Sequence, residues 1–183
     1  MLVSESRRQS LKTYRLHVTA LTLILMALWA TDAWAGNWDR PTGLDQWIDF
    51  DLCDLNTGQH DTWHSNNSHD IAPTAIIPTH THSCSTIEVR VNDSAYGSNQ
   101  PPGWWECHDV SGSVCLSGHV HINTDKANSY SAALKLALMC QEVGHSVGLA
   151  HADSGNSCMN NPLSTDRQHL VQHDIDILNA QYG

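Results

Sequence analysis

Several stretches of the chain carry a regular alternation of apolar and polar residues. In "STIEVRVND", Ile87, Val89 and Val91 alternate with Glu88 and Arg90, the period of two expected of a half-buried strand. "GHVHIN" repeats that period, with Val120 and Ile122 on one side and His119, His121 and Asn123 on the other. "WWEC" at Trp104 reads as a further strand, separated from the first by the turn-forming "YGSNQPPG". After Thr124 the period lengthens. Ser131 is suited to cap a helix in which Leu134, Leu138, Val143 and Val147 recur, with Ala132, Ala133 and Ala137 between them. That helix should run for about five turns and stop at Gly148, a residue that tolerates left-handed backbone. A second helix is expected over Val171 to Gln181, with Ile175, Leu178 and Tyr182 at core spacing. The polar segment from Gly36 to about Pro78 reads as loops around short strands. Strands followed by a long helix, a loop and a closing helix predict an α+β domain.

The first residues follow a different logic. Arg7, Arg8, Lys12 and Arg15 precede an apolar run from Val18 to Ala30, and "AWA" at Ala33 to Ala35 offers small residues for cleavage. This is the pattern of a secretory signal peptide over residues 1–35. The run falls short of the roughly 20 residues that span a bilayer, so no stable membrane association is expected after cleavage. "SRRQSLK" also resembles a twin-arginine signal, with Ser10 where a bulky apolar residue is usual. Residues 36–183 then form one domain, expected to be a monomer outside the cytoplasm, secreted or periplasmic. Five basic residues remain there against seventeen acidic ones, a net charge of −12. Such a surface disfavours nucleic acid and anionic lipid as partners. All six cysteines lie in this part, which implies disulfides in an oxidising compartment. Several pairings are open. Cys107 with Cys115 would close a short hairpin-like loop, and Cys140 with Cys158 would tie the long helix to the segment after it. Cys53 with Cys84 is what those two leave.

The chemistry concentrates in "CQEVGHSVGLAH", Cys140 to His151. Residues four apart on a helix share a face, so Gln141 and His145 point the same way with Glu142 beside them. A turn at Gly148 would swing His151 back toward them. Two imidazoles and a third donor could then hold a cation, with Glu142 placed as general base. Gln141 is the odd member, because a neutral amide oxygen is a poorer zinc donor than imidazole. Asp153, His119 and His121 are alternative further ligands. His60 and His64 could be neighbours on a helical turn, and His80 and His82 share a face if extended; a solvated polar surface accounts for all four. Trp104 and Trp105 could line a substrate groove, and Asn66 and Asn92 fit glycosylation sequons.

With histidine in place of Gln141 the stretch becomes H-E-x-x-H-x-x-G-x-x-H, and the chain resembles the metzincin clan, most closely matrixin-like catalytic domains. "SCMN" places Met159 eight residues after His151, where that clan has its methionine turn. "QHDIDILNAQYG" resembles the closing helix D-D-I-x-G-I-x-x-L-Y-G, with His173 for the first Asp and Ile177 for the glycine. "GHVHIN" resembles the edge strand that pairs with an extended substrate. The match covers about Gly118 to Gly183; no P-R-C-G-x-P-D cysteine switch is present, and Asn160 and Asn161 follow Met159 where some metzincins place a tyrosine. The resemblance implies a mostly parallel sheet with an antiparallel edge strand, a Zn2+ cofactor and a protein or peptide substrate. It implies a metalloendopeptidase with Glu142 as base, His145 and His151 as ligands, and Gln141 as a doubtful third. Gly148 and Met159 support the site, and the resemblance also implies a second, structural metal site as an alternative for His60, His64, His80 and His82, although the spacing it requires is not clearly present. The competing expectation is an inactive metal-binding or protein-binding domain on the same scaffold.

Overall fold

A computed structural model describes residues 46–84, 88–112, 114–152 and 155–183, all within the unit Gly36–Gly183. The expected signal peptide, the start of the "STIEVRVND" segment and the candidate ligand Asp153 lie outside the described residues. Five strands form one sheet: β1 (Trp47–Asp54), β2 (Ile77–Thr81), β3 (Val89–Ser94), β4 (Gly103–Ser111) and β5 (Val114–Asn123). Their spatial order is β2-β1-β3-β5-β4, parallel throughout except for β4, which runs antiparallel to β5. The helices are α1 (Thr57–Asn66), a short α2 (Thr124–Ala127), α3 (Ala132–Ser146) and α4 (Gln172–Tyr182). This is the expected α+β arrangement of a mostly parallel sheet with one antiparallel edge.

One face of the sheet follows from the period of two. Ile48, Phe50, Leu52, Val89, Val91, Val120 and Ile122 are all buried and meet α1 and α3. Ser131 caps α3 by accepting from the Leu134 N–H at 3.3 Å. The helix stops at Ser146, one turn short of the expected length, and Gly148 follows with φ +96°. In α4, Leu178 and Tyr182 are buried as expected, and the Tyr182 hydroxyl donates to the Val147 carbonyl at 3.2 Å. The three disulfides are Cys53–Cys84, Cys107–Cys115 and Cys140–Cys158, with Cα–Cα distances of 5.3, 5.9 and 6.0 Å.

Two expectations are corrected. "GHVHIN" is not the edge strand: β5 is paired on both sides, and β4, which carries "WWEC", forms the edge. The segment before Pro78 is not loops around short strands, since it holds the eight-residue β1 and the ten-residue α1. In α1 the inward stripe is Gln59, Trp63 and Asn66, followed by Asp70 in the π-turn Asn67–Ile71. The helical spacing is there, with polar residues in the places where apolar ones were sought. Asn66 donates to the Asp70 carboxylate at 2.7 Å, and Asp70 in turn accepts from the Leu170 N–H at 2.8 Å. Asn66 is thus a buried structural residue, not an accessible sequon.

Candidate metal centre

The end of α3 and the turn after it bring two imidazoles together. Positive φ at Gly148 reverses the chain, with the Leu149 N–H returning to the Gly144 carbonyl at 2.9 Å. His145 Nδ1 lies 2.7 Å from the Leu149 carbonyl, which can only accept, so the proton sits on Nδ1 and the Nε2 lone pair is free. His151 Nε2 stands 3.1 Å from that Nε2. Two nitrogens held at zinc distance by a tetrahedral ion would be about 3.3 Å apart. Burial pushes the His145 imidazole down to about 4, so it is neutral at physiological pH and able to act as a ligand.

Met159 lies fully buried beneath this turn, against Gly144, where an added methyl would collide with the thioether sulfur. The turn holding Met159 is tied down from three sides. Ser157 Oγ donates to Asp174 of α4 at 2.5 Å and accepts from the Met159 N–H at 3.0 Å. The Ala152 N–H donates to the Met159 carbonyl at 3.0 Å, and Cys158 is bonded to Cys140 of α3. Gln141, like Cys140, ties it to α3. Its amide nitrogen donates to the carbonyls of Cys158 at 3.2 Å and Asn160 at 3.3 Å. Two carbonyl acceptors fix the orientation of the amide, leaving Oε1 as the one donor atom Gln141 could offer a cation.

Glu142 is 5% exposed and makes no hydrogen bond among the described residues. Its side chain packs over Gly103 at the start of β4, where a Cβ would stand 2.8 Å from Glu142 Cγ and 3.1 Å from Oε1. Burial alone pushes its carboxyl up to about 8. A cation close by would favour the carboxylate and draw that value down.

The alternative ligands His119 and His121 lie elsewhere. In the β4–β5 pairing, Gly103 and Trp105 are opposite Ile122 and Val120 on the helix side, while Trp104 and Glu106 are opposite His121 and His119. The period of two therefore turns both histidines to the far face of the sheet. There they join His108, which a bulge between Cys107 and Asp109 adds to β4, in a group able to hold a metal. Trp104 stacks on His121 at 4.6 Å, so it is not a free groove wall. Tyr96 Oη is 3.0 Å from His121 Nδ1. His121 Nε2 is buried without a hydrogen bond, the Glu106 carboxylate being 3.5 Å away. Burial lowers His121, and burial with His108 and His121 nearby lowers His119 to about 4. The sequence signal for His108 was its place in "ECHDV", which a hairpin lays beside "GHVH".

Comparison with protein-family models and with curated proteins returns no match.

Proposed function

We propose that the chain is a secreted zinc-dependent endopeptidase of matrixin-like metzincin type. The observation that carries this reading is the 3.1 Å separation of the two Nε2 atoms of His145 and His151, on a turn one helical step from an unpartnered, buried Glu142. The donor set fits zinc: the His145 tautomer presents Nε2, and the methionine thioether packs against Gly144, the residue before His145. Three disulfides support export to an oxidising compartment, and no described helix is long and apolar enough to cross a membrane.

His145 and His151 would hold the ion. When bound, zinc supplies Lewis-acid polarisation and a coordinated water acidic near neutral pH. Glu142 would take a proton from the attacking water on its carboxylate and return it to the amine released as the peptide C–N bond breaks; its packing over Gly103 confines that carboxylate to the β4 side of α3. β4 forms one edge of the sheet and begins at Gly103. An extended peptide adding to that edge would therefore run past Glu142.

Gln141 favours the second reading, an inactive metal-binding or protein-binding domain, because its amide nitrogen is committed to the turn and the ion keeps only two imidazole donors. Cleavage of a peptide library by the oxidised, exported protein separates the two. The endopeptidase reading expects cleavage that a chelator abolishes, zinc restores and Glu142→Ala removes. Absence of any cleavage dependent on Glu142 would leave the binding reading. Gln141→His should raise zinc affinity by supplying a third imidazole.

A further inference from the structure

We propose that His60, His64, His80 and His82 form a separate binding site for a late first-row divalent cation, at the opposite end of the sheet from β4. The proposal does not rest on the hydrolytic reading and stands if that reading fails. Two periodicities create the cluster. His60 and His64 are four apart on α1 and share a helix face, with ring centroids 4.5 Å apart. His80 and His82 are two apart at the end of the edge strand β2, and His80 is in register with Phe50, whose side of the sheet faces the helices. The two pairs meet there. His60 and His82 rings lie 4.9 Å apart, His64 and His80 5.1 Å, and His80 and His82 5.9 Å.

One nitrogen pair already stands near ligand separation: His60 Nε2 and His82 Nε2 are 3.4 Å apart. His80 and His82 are exposed, so side-chain rotation can bring in the remaining rings without disturbing the core. The scaffold beneath is fixed. Trp63 is buried beside the cluster, its ring 5.1 Å from the His64 ring and 5.5 Å from the His80 ring, and packs on Phe50. The Cys53–Cys84 disulfide ties the segment two residues beyond His82 to the end of β1. None of the four rings is ion-paired among the described residues, and His64 is held below its ordinary value by burial and by its three histidine neighbours. Four imidazoles gathered from two elements offer nitrogen donors only, the chemistry that suits Zn2+ and Cu2+, with Cu2+ the tighter of the two.

Equilibrium dialysis against Zn2+ tests this, comparing the wild-type chain with His60→Ala/His82→Ala and with His145→Ala/His151→Ala. The expected result is that His60→Ala/His82→Ala loses one bound zinc per chain relative to wild type, whether or not His145→Ala/His151→Ala loses another. His80→Gln/His82→Gln, both at exposed positions, gives the same loss where the alanine pair fails to fold, as judged by circular dichroism. With Cu2+ as probe, the electron paramagnetic resonance spectrum should show coupling to several imidazole nitrogens and lose that component in His60→Ala/His82→Ala. Folded variants of this cluster that bind as much Zn2+ as wild type, with the same affinity, overturn the proposal. Loss of zinc only in the His145→Ala/His151→Ala variant does so equally, while leaving the endopeptidase reading intact.

Discussion

Gly144→Ala sets two effects of opposite sign against each other. Gly144 lies within α3, where alanine is intrinsically better than glycine by about 1 kcal/mol. If the helix alone mattered, the substitution would stabilise the protein. The added methyl, however, would overlap the Met159 sulfur and stand 3.2 Å from its terminal carbon. Met159 is fully buried, and its turn is held by the Cys140–Cys158 disulfide and by Gln141, so the thioether has little room to retreat. Overpacking of this kind costs roughly 1–3 kcal/mol. Subtracting the helix gain leaves a net destabilisation of about 0–2 kcal/mol, where the helix term alone would give a gain of about 1 kcal/mol. Urea denaturation of the disulfide-intact, chelator-treated protein gives the sign from the shift in midpoint. Met159→Ala supplies the control. It should cost about 2–5 kcal/mol by itself, and in that background Gly144→Ala should become stabilising, because the methyl then occupies vacated space. A Gly144→Ala variant more stable than wild type by the helix gain of about 1 kcal/mol would refute the packing of Met159 against this helix.

Glu142→Gln tests the buried carboxyl. A folded value near 8 against an ordinary 4.5 means that its contribution to stability is fully present below about pH 4.5 and is lost as pH rises through 8. In chelator-treated protein the glutamine variant should gain on wild type by up to roughly 3 kcal/mol between pH 4.5 and 7; urea midpoints measured across that range check it, and a constant difference would mean that Glu142 is solvated. Asp174→Ala removes the acceptor for Ser157 Oγ and the Val171 N–H. Leaving the buried Ser157 hydroxyl without that partner should cost about 1–3 kcal/mol and, on the proposed zinc reading, weaken zinc binding through the Met159 turn. Isothermal titration beside urea denaturation checks both effects, and unaltered zinc affinity would uncouple α4 from the metal site.

The parts of the fold legible in the sequence are those where an apolar period faces the core. β3, β5, α3 and α4 announced themselves through Val89 and Val91, Val120 and Ile122, Leu138 and Val143, and Leu178 and Tyr182. α1 did not, because the polar Gln59 and Asn66 occupy its inward positions, Asn66 through a side-chain hydrogen bond to Asp70 of the following π-turn, and only Trp63 is apolar. The pairing partners of β5 were hidden for a related reason. Alternation says which residues share a face, and nothing in it says whether a neighbour lies on both sides; Asn123, buried on the far face through bonds to the Gly97 and Pro101 carbonyls, reads as an outward polar residue. At the site, the spacing brought His145 and His151 together. It could not separate them from His119 and His121, whose distance from α3 depends on which sheet face they occupy.

Gln141 is where spacing and geometry give different information. Spacing puts it on the face of His145, at the position a third imidazole would take. Geometry gives its amide nitrogen to the carbonyls on either side of Met159. Cys140, the preceding residue, is bonded to Cys158 in the same turn, so two consecutive residues of α3 hold one short segment. An imidazole at position 141 could not reach a cation and also donate to both carbonyls. The natural residue thus favours a rigid, metal-independent floor under His145 and His151, while Gln141→His would favour the ion. The gain in zinc affinity would come with loss of two buried hydrogen bonds, and the apo protein would be less stable by about 1–3 kcal/mol. Whichever term dominates at ambient zinc decides whether position 141 serves the floor or the ion, and a zinc titration of the two proteins' urea midpoints reads both terms from the same data.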